Sequence, residues 1–566
     1  MIKSLLLIGL FTFLLINNNF VTAQIECQPI NSTFSFVPTP TSQNKIIDWD
    51  KFPEFSLPFT IVYNGPRFGD QKQQPLKHGF SHLSNYSGAD SALVAPKNRA
   101  LIYYGVAYNF GNPQPWQTLR SPWGNDIPSY WAKWRGELAA YAYHFMDTRG
   151  TRAPAADLFI LDIERHWEGQ FKLATDLSIL AIKNDPQIPK AIAQLPDNLF
   201  IERYKRDMLN LYIEPLKFMK QDGLLDKFNK ISSYGDVPIR FQGLNIEANQ
   251  WTDWQTNPTR LSYLMQDTLT NKLGNGFYNQ LDFLCPSAYV QADYATNPKA
   301  RGGNYLAEIL FQIEANKAWS NKPNIPFIWL RYEDFSLQYP RWVKPFQAEA
   351  LAIFPFMAGA SGAVLWEDSF NPTDINYTTY EYYINGLYKL SQYKTFFEGN
   401  PQFVLGENAR DLYTKQVPVW RGVVKNDKIL IAAQNPYAAD NEITKLFVSQ
   451  GKWSNTITLT GKEVFLCSFN LVDITANEAI ENKYGFKLNQ NPLVENNLNF
   501  NLKLPVDQPL QISIFDIAGK EIYNQEMVGQ FGDNKYFIKM NSFAKGPFLL
   551  NIKIKEGYIN RKILNY

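Results

Sequence analysis

Two acidic residues separated by a single position follow a short apolar segment near the middle of the chain. Residues 157–167 read DLFILDIERHW, in which the run LFIL has the length and bulk of a buried strand. Because side chains alternate across a strand, Asp162 and Glu164 are expected on one side and Ile163 on the other. Neighbouring carboxylates disfavour each other's ionisation, and burial disfavours it further. The pair is therefore suited to supply one carboxylic acid that stays protonated near neutral pH.

A helix N-cap aspartate followed by a first-turn glutamate is the alternative interpretation of this pair. In the catalytic interpretation, Glu164 is a general acid for glycoside hydrolysis, which also needs a group that stabilises an oxocarbenium-like centre. That group is either a second carboxylate on a facing strand or the sugar's own acetamido oxygen, held by a neighbouring aspartate such as Asp162. The other carboxylates at predicted strand ends are Glu247, Glu333, Glu367 and Asp368.

Apolar, β-rich segments that alternate with helical patterns must position these residues. The segments are 55–64, 99–109, 157–164, 239–248, 282–290, 325–334 and 362–368. Helices are predicted at 129–146, 197–230, 257–272, 303–319, 341–358 and 379–397. This alternation, without a dinucleotide glycine motif, predicts an α/β fold with a TIM-like β/α barrel of about seven strands. The active site of such barrels lies at the carboxyl ends of the strands. Polar or aromatic residues end several of them: Asn64, Glu164, Glu247, Tyr289, Arg331 and Trp366.

The 566 residues are too many for one core, so several domains are expected. A basic start, a short apolar core and a small-residue cleavage site predict a signal peptide at 1–24. We predict an irregular lead-in at 25–54, the barrel at 55–400 and a small antiparallel β domain at 401–475. A further β unit is predicted at 490–566.

Composition narrows the classes of partner. With 55 Lys and Arg against 53 Asp and Glu, the net charge of +2 argues against general nucleic-acid binding. Aromatic residues make up 15% of the chain and suit the binding of sugar rings. The three cysteines suggest neither a disulfide framework nor a zinc motif, and the four histidines lack HExxH spacing. We therefore predict no metal and no cofactor, and no membrane span in the mature protein.

The C-terminal β unit resembles the sorting domain of the type IX secretion system. The resemblance rests on the Asn491-Pro492 start, FDIAGK at 515–520, GPFLL at 546–550 and a lysine-rich end. It implies export across the outer membrane of a Gram-negative cell, by the type IX machinery, to the medium or the cell surface.

The barrel region resembles glycoside hydrolase family 56, the hyaluronidases. The similar segments, in the same order, are 59–66, 100–108, 156–167, 281–290, 325–338 and 358–368. Pro286-Ser287-x-Tyr289 and Gly359-Ala360-Ser361-Gly362-x-x-x-Trp366 match most closely. Arg165 and Glu367 depart from the family pattern, and no match for a further substrate-binding tyrosine is found near residue 240.

The family resemblance implies a role for each matching residue. Glu164 would be the catalytic acid/base, and Asp162 would orient the acetamido group. Tyr289 would donate to the acetamido oxygen, while Trp366 would wall the pocket. Arg331 and Tyr104 are expected to bind substrate.

The resemblance implies a secreted endo-glycosidase that cleaves polysaccharide, such as a glycosaminoglycan, beside an N-acetylhexosamine with retention of configuration. One alternative is a two-carboxylate barrel glycosidase that pairs Glu164 with Glu333 or Glu247 and acts on sugars without an acetamido group. Another is a surface barrel that binds glycan without cleaving it.

Overall fold

A computed structural model describes most of the chain. The described residues are 27, 34–40, 47–65, 74–84, 94–103, 122–123, 156–162, 176–186, 188–221, 230–240, 246–262, 264–267, 269–292, 294, 302–333, 341–367, 377–451, 453–471, 480–493, 496–516, 520–555 and 557–565. The predicted signal peptide, the predicted helix at 129–146, Tyr104, Glu164 and Asp368 lie outside this set.

The described helices and strands are numbered in chain order. The helices are α1 Gln74–Lys77, α2 Asp176–Ala181, α3 Lys190–Ala193, α4 Asp197–Gln221, α5 Trp251–Thr256, α6 Gly276–Gln280, α7 Tyr305–Trp319, α8 Pro345–Met357, α9 Thr378–Ser391 and α10 Ala409–Lys415. The strands of the larger part are β1 Thr60–Asn64, β2 His82–Leu83, β3 Ala100–Tyr103, β4 Leu158–Leu161, β5 Lys230–Ser233, β6 Gln266–Asp267, β7 Lys272–Leu273, β8 Phe327–Trp329, β9 Gly362–Trp366, β10 Gln402–Leu405, β11 Val419–Lys425, β12 Lys428–Gln434, β13 Ile443–Gln450, β14 Trp453–Thr460 and β15 Phe465–Asn470. The remaining strands are β16 Lys487–Leu488, β17 Asn497–Leu504, β18 Gln508–Phe515, β19 Glu521–Gly529, β20 Gly532–Lys539, β21 Gly546–Ile554 and β22 Gly557–Asn565.

The chain divides into two compact units. The larger unit holds the described residues within 28–450 and 457–472, and the smaller holds those within 451–456 and 473–566 together with Cys27. Cys27 and Cys467 are both disulfide-bonded, whereas Cys285 is free and buried. The sequence suggested no disulfide framework and did not reveal this bonding, because spacing along the chain does not show which residues meet in the fold. Among the described residues, no helix is long and apolar enough to cross a membrane.

Two parallel sheets form the centre of the larger unit. Their strand orders are β2-β1-β9-β8 and β3-β4-β5. As regular ladders, the described strands form two separate sheets and no closed barrel. Single parallel bridges connect them. One joins Leu83 to Arg99. On the other side, the segment 284–290 bridges Tyr234 through Cys285 and Phe327 through Ser287.

Strand β4 is buried on both faces, as parallel strands covered by helices usually are. Leu158 and Ile160 belong to an interior cluster with residues of the other parallel sheet, such as Val62 of β1 and Val364 of β9. Phe159 and Leu161 belong to a second cluster, which contains the apolar face of α4. The alternation expected from the sequence therefore holds along β4 and gives the strand an inner and an outer face.

The strand predicted at 239–248 is wrong for its described residues. Residues 246–248 form a 3-10 helix, and the strand beside β4 is instead β5. The backbone N–H of Ile239 donates to the side chain of Asn316 at 2.8 Å, and the Asn316 amide donates back to the Ile239 carbonyl at 3.1 Å. A helix side chain thus satisfies backbone groups that a neighbouring strand would otherwise pair.

The helix predicted at 257–272 is also wrong. Residues Pro258–Arg260 form a 3-10 helix, and β6 and β7 form a short antiparallel pair. Asn271 lies between these two strands with a positive φ of 52°, a conformation that asparagine tolerates and that breaks a helix.

The region predicted as a small β domain contains an antiparallel sheet of order β10-β11-β12-β15 and the β13-β14 pair. Arg421 of β11 is fully buried, and its Nε lies 2.7 Å from Glu314 Oε1 on α7. The hydroxyl of Tyr305 donates to Gln434 at 2.6 Å. Polar side chains therefore attach this sheet to helix α7 within the larger unit.

The smaller unit contains two antiparallel sheets, β16-β17-β20 and β19-β18-β21-β22. Apolar residues of both sheets, including Phe500 and Ile552, share one buried core. Strands β18 and β19 form an antiparallel pair. The chain as a whole is mixed α/β with an antiparallel, β-rich C-terminal region.

Candidate active site

Asp162 is the first residue after β4, and it lies on the inner face of the parallel sheets. It follows Leu158 and Ile160 in the alternation of β4, and both of these belong to the interior cluster. The residue is 8% exposed. Glu164, two positions further, is outside the described residues, as is Tyr104, so their predicted roles stay predictions.

Tyr289 lies near Asp162. Its ring belongs to the same interior cluster. Burial raises the pKa of the Tyr289 phenol well above its usual value, and Tyr234 and the negative charges of Glu333 and Asp162 raise it further. Tyr289 therefore remains a protonated donor at any physiological pH. The structure thus brings together three residues considered from the sequence: Asp162, Tyr289 and Glu333.

Two tryptophans stand side by side at the carboxyl ends of adjacent strands. Trp329 of β8 and Trp366 of β9 are register partners in the parallel pair. Both are partly buried and pack on the interior cluster. The Trp329 ring lies 5.6 Å from the Tyr289 ring, and the Trp366 ring lies 6.3 Å from Phe327. These rings form an aromatic wall beside Tyr289, and the substrate-binding role of Trp366 stays a prediction.

Arg331 lies two residues beyond Trp329 and is 3% exposed. Its Nε donates to Glu367 Oε1 at 2.8 Å, and its guanidinium carbon lies 3.4 Å from the centre of the Trp342 ring. The Tyr380 hydroxyl donates to the other Glu367 oxygen at 3.1 Å. Protein partners therefore surround both charged groups. Substrate binding by Arg331 stays a prediction, and Glu367 is poorly placed to act as a second catalytic carboxylate.

Tyr234 is a site residue that sequence reasoning missed. It follows β5, its ring lies 6.2 Å from that of Tyr289, and its hydroxyl donates to Ser287 at 3.2 Å. The only signal in the sequence is a tyrosine before Gly235 at the end of the short, polar KISS strand. By contrast, Glu247, considered as a second carboxylate, is exposed on a 3-10 helix.

Glu333 is a carboxylate four residues beyond the end of β8, and its charge acts on the phenol of Tyr289. Its backbone N–H donates to the Val290 carbonyl at 2.8 Å, so it is tied to the segment that carries Tyr289. The Gln291 amide donates to its carboxylate. In the described part of the chain, no three His, Cys, Asp or Glu side chains form a group that could hold a metal ion.

The C-terminal region matches a known family. Residues 491–565 match the family model described as "Secretion system C-terminal sorting domain". The predicted resemblance to the type IX sorting domain is thereby confirmed. The domain directs the protein to the cell surface or into the medium through the outer membrane.

Other comparisons concern the whole chain. No curated protein matches its sequence. Among solved structures, bee venom hyaluronidase is 13% identical, with a TM-score of 0.37, over 59% of this chain and 99% of the hyaluronidase. The endo-β-1,4-mannanase of Thermotoga petrophila is 9% identical, with a TM-score of 0.28, over 82% of this chain and 78% of the mannanase. The GH30 endoxylanase of Clostridium papyrosolvens is 12% identical, with a TM-score of 0.26, over 74% of this chain and 97% of the endoxylanase. Likeness at these values does not identify the chemistry of this chain.

Proposed function

We propose that the chain is an exported endo-glycosidase that cleaves polysaccharide beside an N-acetylhexosamine, with the sugar's own acetamido group as nucleophile. The observation that supports it is the position of Asp162. This carboxylate directly follows β4 and acts electrostatically on the buried phenol of Tyr289, whose ring shares the interior cluster with the Trp329–Trp366 wall. An aspartate and a phenol that lie close together can hold the N–H and the oxygen of one acetamido group.

The proposal includes a closed β/α barrel. The single parallel bridges on both sides of the two sheets support a ring in the order β1, β2, β3, β4, β5, segment 284–290, β8 and β9. Such a ring places the carboxyl ends of its strands on one rim. Asp162, Tyr289 and Trp366 would then face one shared cleft.

In the proposed reaction, protons are exchanged only among the substrate, water and Glu164. Asp162 accepts a hydrogen bond from the acetamido N–H, and Tyr289 donates to its oxygen. That oxygen attacks the anomeric carbon as the glycosidic bond breaks, and Glu164 gives its proton to the leaving oxygen. Water then opens the cyclic intermediate and returns a proton to Glu164. Two inversions at one carbon give net retention.

Product analysis tests the proposal. Hyaluronan, chondroitin, chitin and peptidoglycan are incubated with the protein, and products are identified by mass spectrometry. We expect oligosaccharides that end in N-acetylhexosamine from at least one polymer. The Glu164→Gln variant should turn over about 10²–10⁴-fold more slowly, the usual scale for loss of a positioned acid. Binding without turnover would contradict the enzymatic proposal and favour a glycan-binding barrel.

Glu333 supports a second candidate function. It acts on the same phenol as Asp162, so a second described carboxylate is available near Tyr289. In this alternative, Glu164 is the acid and Glu333 attacks the anomeric carbon of a sugar without an acetamido group. A fluorinated glycoside that traps the covalent intermediate distinguishes the two. An adduct on Glu333 would establish the alternative, whereas inhibition by a thiazoline analogue without any adduct supports the first proposal.

A further inference from the structure

A buried ion pair lies just beyond the carboxyl ends of β8 and β9, beside the aromatic wall. Glu367 directly follows Trp366, and Arg331 follows Trp329 by two residues. Their side chains are 6% and 3% exposed, respectively, and 2.8 Å separates their charged atoms. The pair therefore lies immediately beyond the two tryptophans, between the ends of β8 and β9.

Glu367, which directly follows β9, contacts three other parts of the fold. Its backbone N–H donates to the Asn64 carbonyl at the end of β1 at 3.0 Å. One carboxylate oxygen accepts from Arg331 and the other from Tyr380 on α9. Arg331 is itself stacked on Trp342. The side chain and backbone N–H of Glu367 thus connect the end of β9 to the end of β1, to the segment after β8 and to α9.

The stability of the fold alone does not account for such a pair. Removing two charges from water costs several kcal/mol, and well-packed apolar residues at buried ion pairs are often equally or more stable. The pair does fix the orientation of both side chains, because a planar guanidinium and a carboxylate bond in a defined geometry.

We propose that Glu367 and Arg331 are positioning residues, which hold Trp366 and Trp329 against the sugar that is cleaved, and that neither one reacts with or binds the substrate. The inference rests on the proposed function for its substrate. It assigns Glu367 a role that excludes it as a nucleophile, and it replaces the substrate-binding role expected for Arg331.

The chain offers a matched control. Glu314 and Arg421 form a second buried pair in the larger unit, with side chains 3% and 0% exposed and Nε 2.7 Å from Oε1. Like Glu367, Glu314 uses its second oxygen as an acceptor, here for the backbone N–H of Ala409 at 3.0 Å. The control pair joins α7 to β11, and the hydrogen bonds described for its side chains reach no residue at an end of the parallel strands. Glu314→Gln therefore repeats the chemistry of Glu367→Gln away from the candidate site.

The test compares the two glutamine variants with a double variant, Arg331→Met with Glu367→Met, in the full chain. We expect Glu367→Gln and the double variant to lower kcat about 10–100-fold with a smaller change in KM, since a displacement near 1 Å can cost about 10²-fold. The double variant should keep its folded fraction, because it leaves no unpaired buried charge. Glu314→Gln should leave kcat of the folded protein unchanged. Folded variants at position 367 with wild-type kcat, or equal losses from Glu314→Gln, would overturn the inference.

A second readout does not depend on turnover. The protein is labelled with 5-fluorotryptophan, and the ¹⁹F resonance of Trp366 is assigned by its loss in Trp366→Phe. Glu367→Gln and the double variant should shift or broaden this resonance, whereas Glu314→Gln should leave it in place. If the wild-type protein cleaves no polymer, the proposed function fails, and this spectrum alone decides the inference. An unmoved Trp366 resonance in the position 367 variants would then overturn it.

Discussion

At the scale of single residues, the phenol of Tyr289 is influenced by the charges of both Glu333 and Asp162. Burial, Tyr234, Glu333 and Asp162 all raise its pKa, so the proton stays on the oxygen throughout the pH range in which glycosidases work. A donor of this kind stabilises charge that develops on an acetamido oxygen without exchanging its proton. The alkaline limb of a pH–rate profile should therefore not report Tyr289.

Replacing Tyr289 by phenylalanine removes the donor and keeps the ring. We expect kcat to fall about 10²–10³-fold, the scale found when one preorganised donor is lost. Tyr383→Phe is the matched control, because its hydroxyl is also buried but has no hydrogen-bond partner among the residues that the structure describes. Steady-state kinetics of both variants on the cleaved polymer check this. Equal activity in the two variants would remove Tyr289 from the mechanism.

At the scale of elements, the sequence predicted a strand correctly where that strand is a continuous apolar run. Strand β4 was placed correctly because its apolar run is buried on both faces. Strand β5 was missed because its Ser232 and Ser233 are buried through hydrogen bonds to Phe283 and Asp236, and hydropathy does not register such partners. The run at 239–248 was wrongly predicted to be a strand. The backbone of Ile239 is buried there because the Asn316 side chain of a helix, and not a neighbouring strand, bonds to it. The same limit explains why Tyr234 was found only through the fold.

Asn316→Leu tests the role of that helix side chain. The substitution leaves two buried backbone groups of Ile239 without partners, and each costs about 1–3 kcal/mol. We expect the free energy of unfolding to fall by about 2–6 kcal/mol. Asn279→Leu on α6, where the side chain is exposed, should change it by less than about 0.5 kcal/mol. Urea unfolding measures both, and equal effects would show that the Asn316 contacts do not hold this segment.

At the scale of the whole molecule, the described chain forms two units, and the smaller one carries the sorting domain. A chain that ends near residue 475 lacks that domain. We expect it to fold and keep its activity when produced in a heterologous cytoplasm, but to remain in the periplasm of the native cell. Fractionation of cells and medium, with the full chain alongside, measures this. Normal secretion of the shortened chain would contradict an export role for the domain.

Buried tyrosines set an alkaline limit on the stability of the whole chain. Burial raises the pKa of Tyr393 to about 12 and also raises that of Tyr383. The unfolded phenols ionise near about pH 10, so only the folded state keeps these protons above that pH. Below about pH 10 the two phenols do not affect the free energy of unfolding, and above it the free energy should fall as pH rises. Denaturation between about pH 8 and pH 11 measures the slope, which Tyr383→Phe should make shallower. An unchanged slope in this variant would contradict the assignment.

The proposed nucleophile belongs to the substrate, and one comparison tests this most directly. A polymer that the protein cleaves is prepared in an N-acetylated and a de-N-acetylated form of equal chain length, and the release of reducing ends is measured for both. We predict cleavage of the acetylated form alone, because Asp162 and Tyr289 act through the acetamido group. Equal cleavage of both forms would contradict the proposed function.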